Sequence, residues 1–367
     1  MSHAREIPDS AIQSPEGATY RPQLDGVRAA AIGFVLLSHF GPSYSRWLPG
    51  GNIGVRIFFV LSGFLITGIL LRLNAVAHQG SGPKFLLRQF FVRRVLRIFP
   101  VYFLVLFIAL ICGEVMTGVL PWLATFTGNW YMVLHNKSMG AMSPFWTVAV
   151  EEQFYLLWPW VVLFIPARHL LVVLLAMVLS GFGIRIIGAF ADVPFLFLYC
   201  STFTAMDALG LGGLLAYSFH FHDAPLMRKW LLVGGKIGLA ASALCYAAKM
   251  AWPTQSLVFH FSEIAAALAA LWLIAGAYSG FSGALGAVLS WQPVVFIGKI
   301  SYGIYAYHMV IYSVLASTLL ALGLDPNNMK TERFVCQIIL SILVPAISWR
   351  YMEKPINSLK RHFPYGR

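Results

Sequence analysis

The chain has 367 residues, of which 59% are hydrophobic and only 11% are charged, and its mean hydropathy is +0.73. So little polar surface excludes a soluble globular fold of this length and indicates a polytopic membrane protein. The formal net charge of +12 does not imply a nucleic-acid partner, because an excess of Lys and Arg on one membrane face produces the same value.

A search for membrane-length apolar segments predicts an all-α polytopic fold of about ten transmembrane helices. Residues 1–23 are polar and lack a signal-peptide pattern, so we expect a disordered cytoplasmic tail before a membrane domain at 24–353. Residues 354–367 are expected to form a basic cytoplasmic tail, and 284–297 a short interfacial helix. The predicted spans lie near 26–42, 52–73, 99–119, 146–165, 169–190, 199–219, 230–249, 257–279, 299–322 and 332–352.

The distribution of Lys and Arg predicts the orientation. Most of the 26 such residues fall on the side that both termini share, and the smaller group on the opposite side includes Arg56 and Arg185. Because positively charged loops stay in the cytoplasm, we expect both termini there. The four cysteines lie in or beside apolar runs without metal-ligand spacing, so we predict no metal site.

The first apolar segment, LDGVRAAAIGFVLLSHF, contains Arg28 and His39. Their separation is about three helical turns, so both side chains lie on one face of the helix, roughly 16 Å apart along its axis. Ionisable groups inside a membrane helix are costly and indicate a functional site. The simpler alternative is a snorkelling Arg at one membrane surface and a His at the other. Asp25 is predicted to be the N-cap of this helix rather than a catalyst.

The second span, NIGVRIFFVLSGFLIT, contains the small residues Gly54, Ser62 and Gly63. Small residues allow another helix to approach closely. We therefore interpret all three as packing residues.

A basic amphipathic stretch, KFLLRQFFVRRVLRIFPVY, precedes the third span. It predicts a helix that lies in the membrane interface and turns into the span at Pro100. Arg93, Arg94 and Arg97 are spaced so that their guanidinium groups can converge, which suits phosphate oxygens. The two interpretations are a surface for anionic lipid and a site for a phosphate-bearing cytosolic donor.

The strongest local pattern is FWTVAVEEQFYLLWPW, in which Glu151 and Glu152 lie about a turn and a half inside an apolar segment. Adjacent helical residues point about 100° apart, so one Glu can face a cavity while the other bonds to a neighbouring helix. Buried carboxylates suit general acid or base catalysis, or they pair with a buried Arg or Lys. Which Glu has which role is open, and Tyr155 is a further candidate to contact the acceptor or support the site.

Later spans contain further ionisable residues. His308, in SYGIYAYHMVIY, is a second intramembrane His, for which a site role and a packing role are equally open. Asp207 and Glu263 either line a cavity for an acceptor or pair with Arg185 or Lys249.

The order of these motifs resembles the membrane acyltransferase 3 family, integral-membrane enzymes that O-acylate carbohydrates and related molecules. The similarity runs from LDGVRAAAIGFVLLSHF through GVRIFFVLSGFLIT, RRVLRIFPVY, FWTVAVEEQFYLLWP and ISYGIYAYHMVIY to YMEKPI. It includes the family's Arg and His with ten residues between them, here Arg28 and His39, and its arginine pair with two between, here Arg94 and Arg97. Ala29 occupies a usual Gly position, and we expect no fused extracytoplasmic esterase-like domain.

The resemblance implies an acyl-CoA donor, most often acetyl-CoA, taken from the cytosol by a multi-pass protein of the bacterial inner membrane. The acceptor is a hydroxyl of a carbohydrate or glycolipid. Lipopolysaccharide O-antigen, exopolysaccharide, lipid-linked or lipochitin oligosaccharide and macrolide sugars are all used within the family, and the sequence does not select among them. The length of the acyl chain and the oligomeric state are also open.

The mechanism implied is transfer of an acyl group from coenzyme A to a hydroxyl. His39 is the general base, and Arg28 contacts the polar part of the donor or the developing oxyanion. Arg93, Arg94 and Arg97 hold the coenzyme A phosphates, and Glu151 or Glu152 orients the His or the sugar. A variant in which His39 itself carries the acyl group fits equally well.

The alternative from another class is a proton-coupled secondary transporter. It would use buried His and Glu as a proton relay and move an anionic solute along the arginines. It predicts solute flux without coenzyme A, whereas the enzyme predicts an acyl-CoA-dependent product.

Overall fold

The structure is a computed structural model that describes residues 20–41, 50–77, 82–221, 224–251, 256–326 and 328–365. Most of the predicted N-terminal tail therefore lies outside the described residues. Every regular element within these ranges is helical, as predicted. In chain order the α-helices are α1 Pro22–Phe40, α2 Gly51–Ala77, α3 Pro83–Ile111, α4 Leu120–Ala124, α5 Gly128–His135, α6 Phe145–Phe164, α7 Ala167–Phe190, α8 Phe195–Cys200, α9 Thr202–His220, α10 Pro225–Ala251, α11 Ser256–Ser279, α12 Gly283–Ser290, α13 Gln292–Lys299, α14 Ser301–Ala321, α15 Lys330–Ser348 and α16 Lys354–Ser358.

Eight helical segments in the described ranges are long and apolar enough to cross a membrane. They comprise α2, α3, α7, α8 together with α9, α10, α11, α14, and α15 together with the helical turns that follow it. The multi-pass helical architecture is confirmed. The helices α1 and α6, which contain the four predicted catalytic residues, lie outside this set, so the count of about ten spans stays a prediction.

Helix α2 packs between α1 and α9, antiparallel to α1 and parallel to α9. Gly54 lies against the backbone of Ala31, and Gly63 lies against the backbone of Leu209. A Cβ atom at either glycine would overlap a carbonyl oxygen, so these glycines allow the helix axes to approach closely. We call the two ends of the bundle the Pro22 end, where α1 and α14 begin and α2 ends, and the Phe40 end, where α1 ends.

Helix α3 is continuous over 29 residues, so the predicted interfacial helix that turns at Pro100 is wrong. Its length of about 43 Å exceeds a hydrocarbon core of about 30 Å. A membrane helix tolerates the backbone donor that Pro100 removes. The helix ends because Gly113 adopts φ +73° and the Glu114 amide donates to the Ala109 carbonyl at 2.8 Å. The third span therefore ends at Ile111 and not near residue 119.

The segment between α3 and α6 folds back onto the bundle. The Tyr102 hydroxyl donates to the carbonyl of Leu123, in α4, at 2.7 Å. The Tyr305 hydroxyl donates to the carbonyl of Pro144, directly before α6, at 2.9 Å. Helix α6 therefore begins against the side of α14, which places its carboxylates inside the bundle.

Two short helices pack on the start of α1 where the sequence predicts one interfacial helix at 284–297. They are α12 and α13. Gly298 of α13 lies against the backbone of Asp25, so the first turn of α1 is covered by protein. The first turn of α1 therefore has a fixed position relative to α14, which follows α13 directly.

Candidate active site

A cavity of about 110 Å³ lies where α1, α2, α3, α6 and α14 meet. We call it the arginine cavity. It is lined by Arg28, Val55, Phe58, Phe59, Leu61, Ser62, Leu65, Ile66, Arg94, Arg97, Ile98, Thr147, Val148, Glu151, Tyr155, Ser301, Tyr302 and Tyr305. Five segments that are distant in sequence therefore bring basic, acidic and hydroxyl groups to one space.

Three cations line the arginine cavity. Arg28 Nη1 lies 2.5 Å from Asp25 Oδ1, and the Arg94 guanidinium lies over the Tyr155 ring, 5.0 Å from its centroid. Within the described part of the chain, neither Arg94 nor Arg97 forms a salt bridge. The cavity therefore has a surplus of positive charge, which suits a phosphate or a developing oxyanion.

Asp25 orients Arg28 and does not cap α1. The helix begins at Pro22, so the predicted N-cap is wrong and Asp25 lies in the first turn. The Tyr20 hydroxyl donates to Asp25 Oδ2 at 2.7 Å. Burial, together with the hydrogen bond to Asp25, raises the pKa of Tyr20, so this hydroxyl remains a donor. Both oxygens of Asp25 are thus engaged, which fixes the Arg28 guanidinium at the cavity.

The two adjacent carboxylates have different surroundings, as their helical spacing predicts. Glu151 lines the cavity and accepts a hydrogen bond from the Tyr155 hydroxyl at 3.0 Å. Ser62 hydrogen-bonds the same Tyr155 hydroxyl and serves as the donor, since the Tyr155 proton goes to Glu151. Glu152 is not part of the lining, and its Oε1 is buried without a hydrogen-bond partner among the described residues.

A pair of histidines lies toward the Phe40 end. The ring centroids of His39 and His308 are 5.0 Å apart. His39 Nδ1 lies 3.0 Å from the Val35 carbonyl oxygen, and His308 Nδ1 lies 2.6 Å from the Tyr305 carbonyl oxygen. Because a carbonyl only accepts, Nδ1 is the protonated nitrogen in both rings and Nε2 keeps a lone pair. The His39 side chain is exposed, whereas His308 is fully buried.

Tyr305 separates the arginine cavity from the histidine pair. It lines the cavity, and its hydroxyl accepts a hydrogen bond from the Thr147 hydroxyl at 2.8 Å. Its ring centroid lies 5.5 Å from that of His308. Neither histidine lines the cavity itself, so the two predicted parts of the site are neighbours joined through Tyr305.

Arg93 points away from the arginine cavity. Its Nη1 donates to the carbonyl oxygens of Lys360 at 3.1 Å and Phe363 at 3.0 Å, and its guanidinium lies 4.7 Å from the centroid of the Tyr365 ring. The sequence predicts that Arg93 joins Arg94 and Arg97 at one phosphate site. The structure instead places it against the C-terminal segment, outside the cavity lining.

A second group of charges lies in the bundle and forms a separate unit, which we call the four-charge cluster: Arg56, Arg185, Asp207 and Glu263. Each of the four side chains is almost completely buried. Asp207 Oδ2 lies 2.5 Å from Arg56 Nη2 and 3.1 Å from Arg185 Nε, while Glu263 Oε2 lies 3.7 Å from Arg56 Nε and 4.0 Å from Arg185 Nη1. Pairing with Arg185 was one of the predicted alternatives. The count of Lys and Arg by membrane side includes both arginines, but they are buried inside α2 and α7 beside these carboxylates, so neither is a loop charge.

The sequence patterns do not identify several residues that line the cavity. Ser62 was interpreted as a packing residue, and Tyr302 and Tyr305 were not singled out. The spacing of Tyr302, Tyr305 and His308 is a usable signal, because polar groups three apart in an apolar helix share a face. Among the described residues, no group of three or more His, Cys, Asp and Glu side chains could hold a metal ion.

The chain matches the model of the acyltransferase 3 family, described as an acyltransferase domain, over residues 21–350. The chain therefore belongs to this family of acyltransferases, and the resemblance predicted from its motifs is confirmed.

Curated relatives agree with this assignment. The chain is 30% identical to peptidoglycan O-acetyltransferase OatA of Listeria monocytogenes over 92% of its own length and 56% of that protein. It is 29% identical to putative peptidoglycan O-acetyltransferase YrhL of Bacillus subtilis (92% and 55%) and to O-acetyltransferase OatA of Staphylococcus aureus (92% and 57%). The chain thus spans a little over half the length of these relatives. No solved structure gives a significant match to it.

Proposed function

We propose that the chain is an integral-membrane O-acetyltransferase that moves an acetyl group from cytosolic acetyl-CoA to a hydroxyl of a carbohydrate. The observation that carries this proposal is the cavity at which Arg28, Arg94, Arg97 and Glu151 meet. Its surplus positive charge suits the phosphates of the donor. Membership of an acyltransferase family supports the same chemistry.

The donor enters from the Pro22 end, which faces the cytosol in this proposal because Lys and Arg concentrate on that side of the predicted topology. Arg94 and Arg97 bind phosphate oxygens, and Arg28 contacts the polar part of the donor. A cavity of about 110 Å³ is too small for the whole of coenzyme A. We therefore expect it to admit the narrow pantetheine arm while the nucleotide stays at the entrance.

The acceptor meets His39 at the Phe40 end. Nε2 of His39 takes the hydroxyl proton, the oxygen attacks the thioester carbonyl carbon, the C–S bond breaks, and the imidazolium returns the proton to the leaving thiolate. The exposed His39 side chain and its free Nε2 lone pair support this role. His308 packs against the His39 ring and holds it in place.

Two forms of the mechanism fit a separation of roughly 16 Å between Arg28 and His39 along α1. In the first, the pantetheine arm reaches past Tyr305 and the acetyl group passes directly to the acceptor. In the second, Nε2 of His39 attacks the thioester carbonyl carbon, the C–S bond breaks and coenzyme A leaves as its thiolate. The acceptor hydroxyl then attacks the acetyl group on His39, the C–N bond breaks, and the hydroxyl proton goes to solvent. Incubation with labelled acetyl-CoA without acceptor separates them, because only the second leaves label on His39.

The first acceptor to test is peptidoglycan, because the Listeria relative is named a peptidoglycan O-acetyltransferase. Other carbohydrate and glycolipid hydroxyls belong in the same acceptor series. The length of the acyl group is tested in the same way with a series of acyl-CoA donors.

The experiment uses membranes that contain the full chain, labelled acetyl-CoA and peptidoglycan fragments. We expect label on the fragments only when donor, acceptor and chain are all present, and the label should be released by mild base as expected for an O-ester. Uptake of an anionic solute that needs no coenzyme A, without any acetylated product, would overturn the proposal in favour of a transporter.

A further inference from the structure

The C-terminal helical segment, residues 354–365, lies along α3 beside the arginine cavity. Arg93 holds it there through the hydrogen bonds to the carbonyls of Lys360 and Phe363 and through the Tyr365 ring. Tyr365 is buried, with 8% of its surface exposed. One side chain thus fixes three points of the segment, which makes the segment a structural part of this end of the bundle.

Lys360 is a half-buried cation among other cations. Its Nζ donates to the neutral side-chain oxygen of Asn357 at 2.5 Å, and it forms no salt bridge with any described carboxylate. The like charges of Arg97, Arg94 and Arg93 act on its ammonium group. Such a grouping is electrostatically unfavourable unless an anion joins it.

The nearby carboxylates do not balance this group. Glu151 accepts the Tyr155 hydroxyl, and Glu353 accepts the Ser348 hydroxyl at 3.2 Å. Asp25 and Glu152 are the other carboxylates close to these cations, and Asp25 pairs with a fifth cation, Arg28. Five cations therefore face four carboxylates, so this group of charges keeps a positive surplus that an anion from outside the described part of the chain can balance.

We infer that Lys360 is a further donor-binding residue that binds the 3′-phosphate of coenzyme A, with Arg93 as its positioning residue. The inference rests on the proposed use of an acyl-CoA donor. Arg94 and Arg97 line the cavity, whereas Lys360 lies outside its lining. The 3′-phosphate is the phosphate of coenzyme A farthest from the thiol. We therefore assign the cation that lies outside the cavity lining to the phosphate farthest from the thiol.

The test measures equilibrium binding of coenzyme A and of 3′-dephospho-coenzyme A to the purified full chain in detergent, by competition with a fluorescent coenzyme A analogue. We expect the wild type to bind coenzyme A about tenfold more tightly than the dephospho form, as one charge-assisted hydrogen bond allows. Lys360→Ala should remove this preference, and Lys360→Arg should keep most of it. The matched control is Arg361→Ala, an exposed neighbouring cation, which should keep the full preference.

Arg93→Ala tests the positioning role. It should reduce the preference for the 3′-phosphate, whereas a residue that only stabilises the fold would weaken binding of both compounds equally. A wild type that binds both compounds equally, or a Lys360→Ala variant with the wild-type preference, would overturn the inference. Failure of the wild type to bind either compound would instead refute the proposed acyl-CoA donor, so the two failures are distinguishable. If Lys360→Ala does not fold, Lys360→Gln, which removes the charge and keeps a polar side chain, replaces it: loss of the preference supports the inference, and the wild-type preference overturns it.

Discussion

The arginine cavity and the four-charge cluster are two buried groups of charges in one helical bundle, and they differ in balance and in space. The cluster opposes two cations with two carboxylates at salt-bridge distance, and its members take further hydrogen bonds from Asn52 and give them to Leu198 and Thr204. The cavity has more cations than carboxylates and open volume between them. Buried charge alone therefore does not identify a binding site, whereas an excess of one sign of charge beside open volume does.

The largest expected effect comes from breaking the balance of the cluster. Asp207→Ala removes the closer carboxylate partner of both Arg56 and Arg185, so we expect it to lower the free energy of unfolding by about 3–5 kcal/mol. The measurement is thermal unfolding of the purified protein. Glu332→Ala, which removes an exposed carboxylate, is the control and should change the stability by about 1 kcal/mol or less. If Asp207→Ala kept the wild-type stability but lost activity, the cluster would have a role in catalysis rather than in stability.

At the arginine cavity we expect a smaller effect, which changes donor binding and leaves the stability of the fold near wild type. Arg97→Ala should raise KM for acetyl-CoA about 10- to 100-fold, because one charge-assisted contact to the donor is lost, while the folded yield stays near wild type. Steady-state kinetics with varied acetyl-CoA provides the measurement. Arg88→Ala, an exposed cation on the same helix, should leave KM unchanged. Equal changes in the two variants would contradict a donor site at the cavity.

The smallest expected effect is a difference in kcat between variants of two neighbouring carboxylates. Glu151→Gln should lower kcat by roughly tenfold, because this carboxylate lines the cavity and accepts the Tyr155 hydroxyl. Glu152→Gln should change kcat by less than about threefold, since its side chain lies outside the lining. Both substitutions keep the shape of the side chain, so each serves as the control for the other. A larger effect from Glu152→Gln would reverse the assignment.

The sequence motifs predicted many of the charged residues in both groups, because ionisable residues inside apolar segments are energetically costly and therefore stand out. The positions of Glu151 and Glu152 around the helix predict that one faces a cavity while the other bonds to a neighbouring helix. Glu151 lines the cavity, whereas Glu152 Oε1 has no hydrogen-bond partner among the described residues, so only the first half of this prediction agrees with the structure. The sequence does not reveal which Glu faces the cavity, since that depends on where α6 begins against α14. The Pro144 carbonyl and the Tyr305 hydroxyl, which join those helices, are far apart in sequence.

The errors have a common physical cause. Arg56 and Arg185 lie near the ends of their apolar segments, where a window of residues cannot distinguish a loop charge from one whose partners are on other helices. Arg93 has the same spacing relative to Arg97 as a phosphate ligand would need, yet its partners are carbonyls of the C-terminal segment. Ser62 looks like a packing residue because its neighbour Gly63 is one. Local sequence patterns predict the type of a residue and the helix face on which it lies, whereas tertiary packing determines which residue it contacts.

The central claim is that the arginine cavity and His39 form one path for acetyl transfer. The most direct test compares the rate of acetyl-CoA-dependent O-acetylation by the purified wild type with that of His39→Ala, after both are shown to bind coenzyme A and to unfold at the same temperature. We expect a rate at least about 100-fold lower for His39→Ala, with donor binding retained, because a general base or an acyl carrier is lost. A wild-type rate from His39→Ala would contradict it.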